Sequence, residues 1–195
     1  MSATGKQDQF RLGFLTALEV PDFGHVGGLL VTNRHGRPLE FQCTAPLKAN
    51  RTQQILYGPT LEAFLLGELI GRALIEKAGV KPHLVLTERC EILELRNHVG
   101  LPVACLEPEG ALPQARTVTE SLSGADPHPD RPASATASPA LRIGRQLVRF
   151  HESHAGDRTA VEKDSAQVPK DADLREPFSR VREALLETVR NGALR

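Results

Sequence analysis

Residues 11–44 read RLGFLTALEV PDFGHVGGLL VTNRHGRPLE FQCT, and this stretch decides the fold. Leu12, Phe14, Leu18 and Val20 share one face over 11–20, with Gly13, Leu15, Ala17 and Glu19 on the other, and this alternation is the period of a β-strand. A polar loop at 33–37, with Gly36 available for a left-handed conformation, joins two further short strands at 29–32 and 39–44. The stretch therefore predicts three consecutive antiparallel strands.

Helices are predicted directly after these strands. Asn50, with Gln53 three residues later, has the spacing of a capping box, so a short helix is expected at 51–57. A longer helix at 61–78 has a broad apolar face, which is typical of a helix that packs on a sheet. Further strands are predicted at 83–87 and 101–106, the latter at an edge because it contains Pro102, while 88–96 fits either a helical turn or a strand.

The remainder of the chain changes in character. Proline is frequent and aromatic residues are missing over 108–140, and such a segment buries too little apolar area to offset its ordering entropy. Beyond it we expect a strand at 146–151, an irregular polar stretch at 152–172 and an amphipathic helix at 174–190. The predicted divisions are a disordered N-terminus at 1–10, a core domain at 11–107, a Pro/Ala/Ser-rich flexible linker at 108–140 and a C-terminal strand-plus-helix segment at 141–195.

The predicted fold class is α+β. We expect a mainly antiparallel sheet of about five strands, with one long helix packed on a face, and a C-terminal amphipathic helix after the linker. Whether that last helix docks on its own core or on another chain stays open.

Composition limits the possible classes of protein. The chain has 195 residues, with 24 Lys and Arg against 24 Asp and Glu, so its formal net charge is zero. Nucleic-acid binders usually show a basic excess, so nucleic acid is expected to be an unlikely partner. The three cysteines have no C-x-x-C spacing, no signal peptide is visible, and charges interrupt the longest apolar stretch. A soluble, cytoplasmic protein is expected.

One acidic pattern suggests catalysis. Asp22 followed by Glu40-Phe-Gln42 is similar to the acidic spacing of metal-dependent nucleases of the Asp…Glu-x-Lys type, although Gln42 stands in the lysine position. In those enzymes two carboxylates bind Mg²⁺ and a lysine positions water. A turn aspartate and the solvent-facing side of a strand explain the same residues without catalysis. A nuclease-like enzyme using Asp22 and Glu40 is therefore kept as the alternative function.

Two further candidate sites are weaker. His151, His154 and Asp157 have a spacing that could place two imidazoles and a carboxylate around a metal, but histidine is also common in polar loops. No metal and no other cofactor is predicted. A second alternative, a weak nucleic-acid-binding module, would use Arg34, Arg37, Lys48 and Arg51.

The predicted interaction surface combines the loop after the first helix, the long helix and the apolar stripe of the last helix. Gly67 and Gly71 form a small-x-x-x-small step that would let a partner helix approach closely; close packing within the protein explains them equally well. The residues of this surface are Tyr57, Gly67, Gly71, Leu174, Phe178, Val181 and Leu185.

The element order is similar to that of small α/β modules of the roadblock, longin and profilin kind, which work as dimerisation and scaffold platforms. The resemblance lies in element order, and no residue motif carries it. The main expectation is therefore a non-enzymatic interaction or assembly subunit that acts through protein–protein contacts, with a protein partner or a homodimer.

Overall fold

A computed structural model of the chain describes residues 10–108 and 140–192. It contains a mixed seven-stranded sheet in the order β3-β2-β1-β4-β5-β7-β6. The strands are β1 (Arg11–Val20), β2 (Gly24–Asn33), β3 (Pro38–Cys43), β4 (Leu84–Thr87), β5 (Val103–Leu106), β6 (Leu141–Ile143) and β7 (Gln146–Phe150). The α+β class is confirmed, whereas the expectation of a mainly antiparallel sheet of about five strands is wrong.

The helices lie on both faces of this sheet. They are α1 (Arg51–Tyr57), a π-helix (Ala63–Gly71), α2 (Arg72–Lys77), a 3-10 helix (Cys90–Asn97), α3 (Gly156–Ser165) and α4 (Glu176–Arg190), with short 3-10 turns at Gly58–Thr60 and Glu152–His154. The expectation of one long helix on a face is therefore wrong, because several helices cover the sheet. Within 10–108 and 140–192, no helix has the length and apolar character needed to cross a membrane.

Two crossover connections make the sheet mixed. The helices after β3 return the chain to β4, which pairs in parallel with β1, and the 3-10 helix returns it to β5, which pairs in parallel with β4. A parallel pair needs such a crossover, since a tight turn reverses the chain. The edge position expected for β5 is wrong, because β5 lies between β4 and β7. Pro102 precedes the strand, where its missing N–H removes no ladder hydrogen bond.

Local sequence signals were reliable in the first half of the chain. The capping box is formed, with the N–H of Gln53 donating to Oδ1 of Asn50 at 2.8 Å and the N–H of Asn50 donating to Oε1 of Gln53 at 3.0 Å. Gly36 takes a φ of 78° in the β2–β3 hairpin, as a tight turn requires. These signals fix element ends but not the order of strands in the sheet.

The second half of the chain completes the same sheet. Strand β7 and helix α4 are confirmed, while β6 and α3 were not predicted, and α3 lies in the stretch expected to be irregular. Residues 1–9 and 109–139, which make up nearly all of the predicted N-terminal tail and linker, are outside the described residues. The predicted domain boundaries stay predictions.

Apolar side chains pack against both faces of the sheet. On one face, Phe14 of β1 meets Phe178 of α4. On the other face, Leu66 and Ile70 of the π-helix form a second buried cluster with neighbouring strand residues. The sheet is therefore the middle layer of three, with a hydrophobic core on each side.

Candidate functional site

The two carboxylates of the nuclease alternative lie at opposite ends of the first three strands. Asp22 lies in the turn before Gly24, the first residue of β2. Glu40 pairs with Val31, which is seven residues further along β2 than Gly24. At about 3.3 Å per residue, this places the two residues about 23 Å apart. Because Mg²⁺ holds its ligands at about 2.1 Å, Asp22 and Glu40 cannot share one ion.

Glu40 has a structural role in this fold. Its Oε1 accepts hydrogen bonds from Nε2 of Gln42 (2.8 Å) and from the N–H of Gly79 (2.9 Å). Its Oε2 accepts one from the N–H of Val80 at 2.5 Å. These bonds, first that of Gln42 and then those of the two backbone groups, hold the pKa of Glu40 below its ordinary value. Glu40 and Gln42 thus tie the edge strand β3 to the loop after α2.

The three candidate metal ligands join the 3-10 helix to the beginning of α3. Asp157 accepts two hydrogen bonds from Arg96, at 2.5 Å from Nε and 3.0 Å from Nη2, and this raises the pKa of Arg96. Nε2 of His154 lies 2.9 Å from Oδ1 of Asn97, and its ring centre is 5.7 Å from that of His151. Among the described residues, no group of three or more His, Cys, Asp or Glu side chains could hold a metal ion.

Gly67 and Gly71, the glycine pair of the predicted interaction surface, lie against another helix of the same chain. A Cβ added at Gly67 would lie 2.9 Å from Cβ of Glu94, and one added at Gly71 would lie 3.1 Å from Cδ2 of Leu95. Both neighbours belong to the 3-10 helix. The small-x-x-x-small step therefore lets this helix, rather than one from a partner, approach the π-helix closely.

The apolar stripe of the last helix is also internal. Phe178 packs edge-on against Phe14 with ring centres 5.3 Å apart. Tyr57, which was grouped with the stripe, stacks on Phe64 at 4.1 Å. The stripe residues buried in the chain's own core are Leu174, Phe178, Val181 and Leu185. Because the core of this chain already covers them, they are not presented to another molecule.

The basic residues of the second alternative are Arg34, Arg37, Lys48 and Arg51. The first two lie in the β2–β3 hairpin, past the end of β2. The last two follow Leu47, which pairs with His25 near the beginning of β2. Strand β2 has ten residues, or about 30 Å, and separates the two pairs. These four residues therefore do not form one patch.

Two other carboxylates follow the parallel strands β4 and β5, at the edge where open α/β sheets bind ligands. Glu88 follows β4 and forms a salt bridge with Arg182 of α4, while Glu107 follows β5 with its Oε1 3.6 Å from Nε of Arg149. In the β4–β5 register, Glu88 lies one step before Glu107. Successive side chains point to opposite faces, so these carboxylates cannot hold a common metal ion.

Within residues 10–108 and 140–192, a concentration of positive charge lies elsewhere, in a recess between the β6–β7 hairpin and α3. This basic recess has a volume of about 850 Å³. Its floor includes the buried residues Leu141 and Val168. The charged residues described in its lining are Arg142, Arg145, Arg158, Lys170 and the carboxylate Glu162. The lining therefore carries four cations against one anion, although the whole chain is neutral.

The backbone holds two of these arginines in place. Gly144 makes the β6–β7 turn with a φ of 56°, and the N–H of Arg145 donates to the carbonyl of Ala172 at 3.0 Å. Nη1 of Arg142 donates to the carbonyl of Arg145 at 3.2 Å. The hairpin is thus fixed against the segment that precedes α4, and both arginines line the recess.

Arg158 of α3 has an unusual environment in the recess. Its Nε is buried and has no hydrogen-bond partner within the described ranges 10–108 and 140–192. A buried donor without an acceptor costs about 1–3 kcal/mol, so this side chain is not fully satisfied by the rest of the described chain. Sequence reasoning missed this site because α3 was expected to be irregular. The available signal was Arg142-Ile-Gly-Arg145, a glycine turn between two arginines.

Comparisons with known proteins give structural neighbours only. No protein-family model and no curated protein matches this chain. Solved structures similar to it include human ENDOV, at 16% identity over 92% of this chain and 86% of that chain, with a TM-score of 0.43. Another is the catalytic domain of human endonuclease V, at 15% identity over 92% of this chain and 84% of that chain, with a TM-score of 0.42.

Both of these neighbours are endonucleases by name, at odds with the expectations of a non-enzymatic assembly subunit working through protein–protein contacts and of nucleic acid as an unlikely partner, and neither expectation is kept. At this identity and TM-score, no site residue is taken over from these proteins.

Proposed function

We propose that this protein binds the phosphate backbone of nucleic acid, and that the basic recess is its binding site. The observation that carries the proposal is the charge of the recess lining, in which Arg142, Arg145, Arg158 and Lys170 stand against the single carboxylate of Glu162. Arginine side chains suit phosphate because their planar donor groups match its oxygens in pairs.

The recess explains how a neutral chain could bind a polyanion. Affinity for nucleic acid depends on the charge near the phosphates, since each neutralised phosphate releases condensed counterions. Arg142 and Arg145 are exposed residues on one side of the recess, Lys170 is exposed on another, and Glu162 contributes the opposing charge. The net local charge of about +3 is enough for a few phosphate contacts.

The proposal is tested by binding of labelled oligonucleotides, followed by fluorescence anisotropy. Single- and double-stranded DNA and RNA of about 20 nucleotides are titrated at about 50 and 200 mM salt. The test variant is Arg142→Ala/Arg145→Ala. Its matched control, Arg51→Ala/Lys77→Ala, removes the same charge from exposed positions on α1 and α2.

We expect salt-dependent binding that the recess variant weakens and the control leaves unchanged. The slope of log K against log salt should fall by about 0.7–0.9 for each phosphate that the variant no longer neutralises. No binding at low salt, or an equally weakened affinity in the two variants, would contradict the proposal. Parallel incubations with Mg²⁺ or Mn²⁺ test for cleavage separately, with strand length on a denaturing gel as the readout.

A further inference from the structure

Two cysteines that are distant in sequence meet beside the carboxyl end of the parallel strands. Sγ of Cys90 lies 3.3 Å from Sγ of Cys105. Cys105 lies in β5 and is fully buried, whereas Cys90 is the first residue of the 3-10 helix and is exposed. An exposed cysteine and a buried cysteine therefore lie side by side.

The fold holds this pair through the turn after β4. Thr87 pairs with Cys105 in the β4–β5 register, and its Oγ1 accepts a hydrogen bond from the N–H of Arg89 at 3.1 Å. This bond turns the chain so that Cys90 follows immediately beside Cys105. The pair is thus positioned by two adjacent strands and one turn.

An arginine from the third neighbouring strand completes the arrangement. Arg149 of β7 pairs with Cys105 in the β5–β7 register, and its Nη2 contacts Sγ of Cys90. Reactive cysteines are commonly found beside cationic side chains, and Arg149 supplies one here. Cys90 also borders a depression of about 350 Å³, lined in part by Glu94 and His151, through which a small molecule can reach it.

The two sulfurs differ in chemical character. Burial, and then the neighbouring Cys90, raise the pKa of Cys105 to about 12, so Cys105 keeps its proton while Cys90 reacts. Arg149 has the opposite effect and lowers the pKa of Cys105. Once Cys90 has reacted, its raising effect on the pKa of Cys105 is removed, while the lowering effect of Arg149 remains.

We propose that Cys90 and Cys105 form an oxidation site that reacts with hydroperoxides and ends as a disulfide. In the first step the Cys90 sulfur attacks the terminal oxygen of the peroxide. The S–O bond forms, the O–O bond breaks, and the alcohol or water leaves with the thiol proton, so that sulfur is oxidised by two electrons. In the second step the Cys105 sulfur attacks the sulfenic-acid sulfur of Cys90: the S–S bond forms, the S–O bond breaks, and the hydroxyl leaves as water with the Cys105 thiol proton.

The sulfurs are close enough for the second step. A disulfide has an S–S distance of about 2.05 Å, so the pair must approach by about 1.3 Å. Because Cys90 is exposed at the first position of its helix, its side chain can make this movement. Cys43 lies in β3, at the far edge of the sheet, and supplies an internal control.

The test is oxidation of the reduced full-length protein with hydrogen peroxide, followed by intact mass and peptide mapping. We expect a loss of two hydrogens and a crosslinked peptide pair containing Cys90 and Cys105. Cys43→Ser should behave as the parent protein. Cys105→Ser should stop at a sulfenic acid on Cys90, trapped by dimedone, and Cys90→Ser should give neither product.

A second readout tests the role of Arg149 without requiring the disulfide. Arg149→Gln should slow alkylation of Cys90 by iodoacetamide at fixed pH by severalfold, while alkylation of Cys43 stays unchanged. Oxidation that gives a Cys43 crosslink, or a Cys90 that reacts no faster than Cys43, would overturn the proposal. Circular dichroism of each variant shows whether a loss reflects unfolding, in which case Cys105→Ala replaces Cys105→Ser.

Discussion

Substituting Gly27 by alanine tests how closely the π-helix packs on β2. A Cβ at Gly27 would lie 2.1 Å from Cγ2 of Ile70 and 3.2 Å from Cδ1 of Leu74, and both side chains are buried. Strand β2 has no room to move away from the π-helix, because it is also closely packed on its other face. A Cβ at the next residue, Gly28, would lie only 2.8 Å from Cγ1 of Val181 on that face. The added methyl group must therefore displace Ile70 or its helix.

The expected cost follows from two opposing effects. Overpacking a filled core destabilises a protein by about 1–3 kcal/mol. Replacing glycine by alanine restricts the unfolded chain and stabilises the folded state by about 0.4–1 kcal/mol. The free energy of unfolding should therefore fall by about 1–2 kcal/mol, and Tm should fall by about 2–4 °C for each kcal/mol in a chain of this size.

Urea unfolding measures this change as a shift in midpoint at constant m. Ile70→Leu removes the clashing Cγ2 branch at nearly constant volume. The free energy of unfolding of the double variant Gly27→Ala/Ile70→Leu should therefore be at least about 0.5 kcal/mol higher than the sum of the two single changes predicts. Gly100→Ala is the control, since a Cβ there meets nothing within 4 Å among the described residues. A Gly27→Ala protein as stable as the parent, or strict additivity with Ile70→Leu, would refute the packing argument.

Two further predictions concern charged groups. Glu40→Gln should destabilise the protein near pH 7. Since the pKa of Glu40 lies below its ordinary 4.5, the difference from the parent should be full above pH 4.5 and should disappear as pH falls through the lowered pKa, which urea unfolding across pH will show. Asp157→Asn should lower the free energy of unfolding by about 3 kcal/mol, because Arg96 would lose its partner where their side chains are 17% and 11% exposed. The free energy of unfolding should fall less in the double variant Arg96→Met/Asp157→Leu, which leaves no charge unpaired. An equal fall in this variant and in Asp157→Asn would show that the unpaired charge of Arg96 is not the cause.

Local signals in the sequence predicted individual elements better than the way they assemble. The alternation at 11–20 and the capping box at Asn50 depend on neighbouring residues, so they are visible in the sequence. The position of β5 inside the sheet depends on pairing with β7, more than 40 residues later, and Pro102 alone suggested an edge. Helix α3 was missed because few of its side chains are apolar; it is held by Val161 in the core and by the bond from Arg96.

The candidate sites were missed for a related reason. Asp22 and Glu40 were grouped by spacing along the chain, but the β1–β2–β3 register separates them by about 23 Å. Cys90 and Cys105 looked unrelated because no C-x-x-C motif joins them, and the crossover between β4 and β5 brings them into contact. Residues that form a site across strands cannot be recognised before the strand order is known.

The two edge strands of the sheet have a consequence for the behaviour of this protein at high concentration. Strand β3 begins at Pro38, and its pairing with β2 is interrupted by a register shift between Val31 and Thr32. Strand β6 has three residues. Short, irregular or proline-bearing edges offer little template for another strand, so they protect against edge-to-edge aggregation. Both borders of the sheet are therefore poorly suited to fibre growth.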